Sequence, residues 1–423
     1  MKRRSLALLA ALSLMAAAGC GQSAEKGTDS AFAAQSAPAK YKVEDVDVRL
    51  VDAHTRFSFD VFREAIKAED EGGNVFLSPL SAAVALSMTM NGAGGETFEA
   101  MREALRMEEL SQEDINRGHE VLSDMLTHPG EGMTLRIANS LWSDEGLAFK
   151  EPFLAANRTH YGAEAVSVDL QAEEAVERIN GWVDGATSGR IPKMLEKPLS
   201  ADAILLLLNA IYFDADWRRP FPEQRTAEHP FRTGSGGAAE VPMMFADGEN
   251  EYMNEGGVQG VRLPYEGGAA MIALLPEEGT DFRSFAGSLT AEQWAAWRGA
   301  FRSAEGTVGL PKFQLAYESE WNNLLKTLGM GNAFDPDLAD FDEMIELGVP
   351  VYLSEVKQKA VIDVDERGTV AAAVTSVEVM AESAPSDLFR LVFDRPFVFV
   401  IEDERTGSIM FVGAVENLNS GGR

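Results

Sequence analysis

Histidine and cysteine are the side chains of this sequence best suited to nucleophilic, proton-transfer or metal chemistry. The histidines are His54, His119, His128, His160 and His229. They are scattered, and none lies beside a carboxylate at the spacing of a metal site. The sequence contains no HExxH, no GxSxG, no P-loop and no cysteine pair. We therefore interpret the histidines as surface or satisfied structural residues, predict no metal and no cofactor, and do not expect an enzyme.

The single cysteine, Cys20, is a candidate for lipid attachment. A basic Met-Lys-Arg-Arg start is followed by an apolar run from Leu6 to Ala18 and by Gly19, which is the layout of an export signal. The stretch Ala-Ala-Gly-Cys resembles a bacterial lipobox, in which cleavage leaves a diacylated cysteine at the new N-terminus. An ordinary secretory signal with an incidental cysteine is the alternative, and a sole cysteine at the cleavage point favours lipidation. We predict that residues 1–19 are removed and that the exported, extracytoplasmic protein is lipid-anchored to a bacterial membrane or cell surface.

A run of small residues near the C-terminus could form a buried strand. An apolar segment begins at Val361, and no proline or charge occurs from Gly368 to Val377, so the run can enter the centre of a sheet. Alternation places two sets of residues on opposite faces. These sets are Thr369, Ala371, Ala373, Thr375, Val377 and Val379 on one face, and Val370, Ala372, Val374, Ser376 and Glu378 on the other. Taken by itself, this run favours an ordinary strand of an α+β protein.

The elements that must position these residues change in type along the chain. The first half is predicted to be mostly helical, with one helix ending in a turn at Gly189. Short apolar runs at Ile204–Leu208, Ala269–Leu275 and Phe397–Ile401 predict strands of a buried sheet. Helices followed by strands indicate the α+β class rather than a repeating βαβ chain.

Composition predicts a tether followed by one large domain. Residues 20–45 begin with the candidate lipid site and are rich in small and polar residues, which cannot order themselves by burial. Residues 46–423 show no second linker and no further membrane-spanning run, so we predict a single domain that acts as a monomer. The formal net charge of −30 argues against nucleic acid as a partner, because its phosphates would be repelled.

Residues 74–97 resemble the signature of the serpin family around its central buried helix. Ser78 is a favourable N-cap, Pro79 suits the first helical position, and the following residues are apolar on nearly every side. The similarity continues in the family's order and spans residues 50 to 417. Its further blocks are Ile137–Trp142, Ile179–Val183, Leu208–Phe221, Val241–Met244, Leu310–Phe313, Phe393–Phe397 and Ile409–Gly413. The resemblance implies the serpin fold, with helices around a large central mixed β-sheet, smaller sheets, and an exposed reactive loop at about 366–390.

The same resemblance identifies the small-residue run as the hinge of that loop. The implied hinge residues are Glu366, Gly368, Thr369, Ala371, Ala372, Ala373 and Thr375. The implied function is inhibition of a serine endopeptidase, or alternatively a cysteine endopeptidase, as a suicide substrate. The protease acylates the loop, the cut segment inserts into the central sheet, and a covalent complex persists. On this basis we expect Thr369 to be exposed in the free loop and buried only after insertion, and Val370 to lie on the outer face.

The family's usual loop length, counted from Glu366, places the reactive bond between Glu382 and Ser383. Glu382 would select a protease with a cationic specificity pocket. The bonds Met380-Ala381 and Ala381-Glu382 remain alternatives, which would suit chymotrypsin-like or elastase-like enzymes.

The resemblance also implies a polar cluster beneath the point where the sheet opens. Ser78, Ser81 and Asn209 belong to it, and Trp217 is placed at the top of the opening. Gln358 stands where most relatives carry histidine. An amide can bridge hydroxyls by donating and accepting, but it does not titrate, so the pH sensitivity of this cluster is not expected here.

Three other functions compete with inhibition. The first is a non-inhibitory serpin-fold protein with a binding, chaperone-like or storage role, which the small-residue hinge disfavours. The second is a lipid-anchored surface adhesin, which predicts no dependence on a protease. The third is a hydrolase, which lacks an assembled nucleophile and base.

Overall fold

Helices prevail early in the chain and strands prevail later, as the residue pattern predicts. The structure is a computed structural model, and it describes residues 38–201, 203–345, 350–369 and 388–418. The α-helices are α1 (Val48–Ala68), α2 (Pro79–Met90), α3 (Gly95–Ala104), α4 (Gln112–Thr127), α5 (Glu151–Tyr161), α6 (Glu173–Ala186), α7 (Phe282–Ala286), α8 (Ala291–Ala300) and α9 (Asn322–Thr327). Short 3-10 helices span Val43–Asp45, Glu223–Arg225, Glu266–Gly268 and Met330–Phe334.

The strands belong to two sheets. They are β1 (Val75–Leu77), β2 (Met133–Asp144), β3 (Glu164–Val168), β4 (Leu205–Asp216), β5 (Ala227–Arg232), β6 (Ala238–Glu255), β7 (Val258–Pro264), β8 (Ala269–Pro276), β9 (Arg302–Pro311), β10 (Phe313–Glu320), β11 (Leu353–Val364), β12 (Gly368–Thr369), β13 (Phe389–Val392), β14 (Phe397–Asp403) and β15 (Ile409–Val415). The three apolar runs predicted to be strands lie in β4, β8 and β14, except for Ile204, which precedes β4. The first half also contains β2 and β3, which the sequence did not separate from the surrounding helices.

One sheet has six strands in the order β10-β11-β12-β4-β2-β3. It is mixed, because β11 runs parallel to β4 while β12 runs antiparallel to both. The parallel register of β11 and β4 extends from Leu353↔Leu205 to Val361↔Tyr212. Beyond that point the two strands diverge, and β12 lies between them.

The other sheet has nine strands, in the order β1-β15-β14-β8-β7-β6-β9-β13, with β5 also paired to β6. The smaller sheets expected from the resemblance are joined into this one sheet by β6, which pairs with β5, β9 and β7 along its length. An 18-residue strand is long enough to belong to both parts. The α+β fold class, with helices around mixed sheets, is confirmed.

Helix α2 lies in the core between the two sheets. All twelve of its residues are buried, and it contacts β15, β4 and β2. Pro79 occupies the first helical position as predicted. Ser78 stands at the N-cap, but its hydroxyl does not cap the helix and instead donates to the carbonyl oxygen of Met410 at 2.7 Å. Because this helix has no exposed face, its hydroxyls and backbone ends must be satisfied by other core residues.

The predicted tether is shorter than residues 20–45. The backbone N–H groups of Lys40 and Tyr41 both donate to the Asp124 carboxylate on α4, at 2.7 and 3.0 Å. The Tyr41 ring is buried against Val121 and Met125. Lys40 and Tyr41 are therefore bound to the domain, whereas residues 42–45 are exposed. Composition missed this because the contacts join residues about eighty positions apart.

Within the described ranges, none of the helices combines the length and apolarity that a membrane crossing needs.

Candidate functional site

The predicted hinge begins at a tight reversal after β11. The Asp365 carboxylate accepts hydrogen bonds from the backbone N–H groups of Arg367 at 2.8 Å and Gly368 at 3.2 Å. The Asp365 N–H in turn donates to the carbonyl of Gly368 at 2.9 Å. A Cβ atom added to Gly368 would lie 2.1 Å from the carbonyl oxygen of Ala215. Glycine is required here because β12 passes too close to β4 for any side chain.

Thr369 is already part of the six-stranded sheet. It is fully buried, and its backbone is paired with Val364 of β11 and Ala215 of β4. Its hydroxyl lies 2.8 Å from the phenol oxygen of Tyr265. The prediction that Thr369 is exposed before loop insertion is therefore wrong. Periodicity assigns a residue to one face of a strand, but it does not show where the neighbouring strands separate to admit it.

Trp217 and Tyr265 support this turn from the side of β4. Their rings stack at 4.1 Å between centroids with an interplanar angle of 11°. The Trp217 indole N–H donates to the backbone carbonyl of Asp365 at 2.9 Å. The Trp217 backbone N–H donates to the backbone carbonyl of Arg367 at 2.7 Å. Burial raises the pKa of Tyr265, so its phenol stays protonated and can share a hydrogen bond with Thr369. Trp217 thus lies beside the turn that precedes Thr369.

Glu366 fixes the other side of the turn. Its carboxylate pairs with the Lys312 ammonium at 2.7 Å and accepts from the Thr226 hydroxyl at 2.7 Å. Its backbone carbonyl accepts from the N–H of Phe221 at 2.7 Å. Burial acts to raise the pKa of Glu366, but the bonds from Lys312 and Thr226 outweigh burial and hold that pKa below its usual range. The carboxylate is therefore charged and paired at neutral pH.

A buried polar cluster joins β11, β4 and α2 further down the sheet. The Gln358 amide donates to the carbonyl oxygens of Ser78 and of the Asn209 side chain, at 2.8 and 2.7 Å. The Ser78 N–H donates back to the Gln358 carbonyl oxygen at 2.9 Å. The Asn209 amide donates to the hydroxyl of Ser81. The four residues predicted for this cluster thus lie together, although Gln358 bridges a backbone group and an amide rather than hydroxyls.

Asn139 also belongs to the cluster, and we did not single it out from the sequence. Its carbonyl oxygen accepts from the Asn209 amide, and the two residues are partners in the β2–β4 register. It lies within the Ile137–Trp142 block of the resemblance, so an asparagine in the middle of an apolar strand was the available signal. The Gln358–Asn209 bond also joins register partners, on β11 and β4. These two strands are therefore held together by backbone pairing and by a side-chain bridge.

Several predicted site residues lie outside the described residues. They are Cys20, Ala371, Ala372, Ala373, Thr375, Met380, Ala381, Glu382 and Ser383, together with Val370. The chain is described again from Leu388, which is about half exposed. Phe389 then pairs with Gly306 at the start of β13. The segment between Thr369 and Leu388 thus connects the six-stranded sheet to an edge strand of the nine-stranded sheet.

Two histidines differ from the expectation of surface or satisfied residues. His54 and His119 are buried, and the Nδ1 atom of each has no hydrogen-bond partner among the described residues. Over the same ranges, no group of three or more His, Cys, Asp or Glu side chains could hold a metal ion.

Residues 52–418 match the family described as "Serpin (serine protease inhibitor)". A leukocyte elastase inhibitor of Equus caballus is 34% identical over 378 residues, which cover 86% of this chain and 98% of that protein. Serpin B9 of Homo sapiens is 34% identical over 348 residues, covering 80% and 92% of the two chains.

The fold is similar to that of tengpin, a thermophilic serpin whose crystal structure shows the native state. The TM-score is 0.83 at 32% sequence identity, over 90% of this chain and 97% of that chain. These similarities in sequence and fold extend over 80–90% of this chain and 92–98% of the other proteins, so they are not confined to one motif.

Proposed function

This chain belongs to the serpin family, and from that premise we propose that it inhibits a serine or cysteine endopeptidase as a suicide substrate. The protease would acylate the loop that follows Thr369, and the cut segment would enter the six-stranded sheet before the acyl-enzyme is hydrolysed. Similarity to proteins named as protease inhibitors supports inhibition in general. The mechanism rests on the geometry of the hinge.

The placement of β12 carries this proposal. Gly368 and Thr369 lie between β11 and β4 and run antiparallel to both. Continuing the same register would carry the next residues down between these strands, where they would replace the direct β11–β4 pairing. Strand β12 thus already has the direction that an inserted strand would need. Extending β12 by further residues requires β11 and β4 to separate.

Insertion of the cut loop can supply enough free energy to disturb a bound protease. About ten inserted residues, each gaining a ladder hydrogen bond of roughly 0.5–1.5 kcal/mol net, give on the order of 10 kcal/mol. That is comparable with the stability of a whole domain. The small residues after Thr369 matter because a bulky or charged group would have to be buried between strands.

The loop sequence suggests the class of target. We propose Glu382-Ser383 as the reactive bond, which directs the loop to a protease with a cationic specificity pocket. Cleavage at Met380-Ala381 or Ala381-Glu382 would instead indicate a chymotrypsin-like or elastase-like target.

The deciding experiment is incubation of the protein with a panel of proteases of these three specificities, followed by denaturing electrophoresis and mass spectrometry. We expect a covalent band at the summed mass with at least one of them, and the released peptide identifies the bond. If each protease that cuts the loop is recovered fully active and no such band forms, the protein is a non-inhibitory member of its family.

We also propose that the protein is exported, acts as a monomer, and is held on a membrane by a lipid on Cys20. The support is the signal layout and the sole cysteine at its end. The domain itself begins by residue 40, so the proposed tether between the lipid and α4 spans about twenty residues.

A further inference from the structure

His54 on α1 and His119 on α4 form a buried pair at the contact between the two helices. Their Nε2 atoms lie 3.1 Å apart, so one ring donates a hydrogen bond to the other. The relative exposure of the two residues is 1% and 0%. The Nδ1 atom of each ring lacks a partner among the described residues. With both rings neutral, one Nε2–H donates to the other Nε2, while both Nδ1 atoms stay without a partner among the described residues.

Among the described residues, no carboxylate acts on the pKa of either ring. The Tyr161 ring of α5 packs on His119 at 5.6 Å between centroids. His160, also on α5, directs its Nδ1 to the Glu120 carboxylate at 2.9 Å. Across the described residues, the titratable groups that act on His119 are His54 and His160, and both are basic.

The carboxylate of Glu120 is also hydrogen-bonded to the chain that precedes α1. It accepts from Lys40 at 3.0 Å and from the Tyr41 hydroxyl, which itself accepts from Arg117 at 2.7 Å. We call Lys40 and Tyr41 the N-terminal strap. Helix α4 packs against α5, β2 and α2, and the histidine pair and the strap add contacts to α1 and to the chain that precedes it.

Protonation of the pair conflicts with the packed arrangement of the helices. Any proton added to the two neutral rings creates a buried charge without a counter-ion among the described residues. A proton added to the accepting Nε2 would in addition place two donors 3.1 Å apart. Burial lowers the pKa of His54 to about 3. Burial, followed by the proximity of His54 and His160, lowers the pKa of His119.

We propose that His54 and His119 form an acid-sensitive contact that releases α4 from α1 when the pH falls below the ordinary titration range of histidine. In the released state both rings reach water and take up protons, whereas in the packed state they do not. Helix α4 should release before the rest of the domain because the titrating pair lies at its own interface. This inference does not depend on the proposed inhibitory function.

The size of the effect follows from proton linkage. A group whose pKa is lowered in the packed state stabilises that state above its released-state pKa of 6.5, and the stabilisation is lost as the pH falls. Between about pH 7.5 and about pH 5, His54 alone should raise the population of the released state about 30-fold. Proton uptake by His119 acts in the same direction.

Amide hydrogen exchange of the full chain, corrected for the intrinsic pH dependence of exchange, tests this proposal. In the wild type, α4 should lose at least about 30-fold of its protection between about pH 7.5 and about pH 5, while β14 should not. The double variant His54→Leu/His119→Leu removes both partners together and should abolish the pH-dependent loss in α4. The matched control His229→Leu, at a half-buried position on β5, should behave as the wild type.

Unchanged protection of α4 in the wild type over this pH range would overturn the proposal, whatever the variants do. An equal loss of protection in the wild type and the double variant would also overturn it. If the leucine pair impairs folding, His54→Gln/His119→Gln keeps polar, non-titrating groups at both positions and must likewise abolish the loss.

Discussion

The hydroxyl of Thr369 lies 2.8 Å from that of Tyr265, and both side chains are fully buried. Tyr265 follows β7 of the nine-stranded sheet, whereas Thr369 lies on β12 of the six-stranded sheet. The bond therefore ties the start of the loop to the opposite sheet before any cleavage occurs. The chain is therefore part of the six-stranded sheet as far as Thr369.

Replacing Tyr265 with phenylalanine should loosen the hinge. Tyr265→Phe keeps the stacking on Trp217 but leaves the Thr369 hydroxyl without its partner, which should lower the free energy of unfolding by about 1 kcal/mol. Urea unfolding measures this loss, and hydrogen exchange should show a selective rise at residues 368 and 369.

Tyr252→Phe is the matched control for that variant. The Tyr252 ring also stacks, on Phe389 at 4.2 Å, and its hydroxyl donates to Gln259 at 3.0 Å, away from the hinge. A rise in exchange at the hinge in both variants, or in neither, would contradict a specific role for Tyr265.

Thr369→Arg should convert the protein from an inhibitor to a substrate. A guanidinium cannot remain in the space that Thr369 fills without roughly several kcal/mol of desolvation cost, so the hinge should leave the sheet and insertion should slow. Deacylation then has time to finish. We expect cleavage at the wild-type bond with less covalent complex per cut, and a smaller gain in thermal stability after cleavage.

Thr369→Ser keeps the hydroxyl and should inhibit like the wild type. Equal stoichiometry of inhibition for the arginine variant and the wild type would mean that position 369 does not have to stay in the sheet.

Breaking the Glu366–Lys312 pair should destabilise the hinge in a pH-dependent way. Lys312→Met should lower the free energy of unfolding by about 1–3 kcal/mol near pH 7, since the carboxylate loses a charged hydrogen bond. The pKa of Glu366 is lowered in the folded protein. Its contribution is therefore fully present above its ordinary pKa of 4.5 and is lost as the pH falls through the folded value.

Urea unfolding at about pH 7 and about pH 4 should show the gap between Lys312→Met and the wild type narrowing at the lower pH. The control is Lys359→Met. The ammonium of Lys359 lies 3.2 Å from the carboxylate of Glu318, which is more exposed than that of Glu366. If the difference in free energy of unfolding between Lys359→Met and the wild type narrows equally, the effect comes from the loss of any lysine charge rather than from the Glu366–Lys312 pair.

Cys20→Ser should release the protein from membranes when it is expressed in a bacterium that processes lipoproteins. Each lost methylene of an acyl chain removes about 0.8 kcal/mol of membrane affinity. Cell fractionation should find the wild type and a Ser23→Ala control in the membrane pellet and the cysteine variant in the soluble fraction. A Cys20→Ser protein that still pellets would show that a different part of the chain binds the membrane.

The sequence by itself determined the features that depend on local residue type. The apolar surface of α2 predicted a helix buried on every side, and Pro79 marked its start. The small residues from Gly368 onward predicted a strand able to enter a sheet. The order of the sequence blocks that resemble the serpin family identified that family, because these blocks extend along almost the whole domain.

Tertiary structure decided every feature that joins distant residues. The exposure of Thr369 depended on where β11 and β4 diverge. The partners Tyr265 and Asn139, and the docking of Tyr41 on α4, were likewise decided by packing. His54 and His119 are 65 positions apart and meet only because α1 packs on α4. Local pattern assigns a side chain to the core or to one face of an element, whereas its partner is set by how the elements pack against one another.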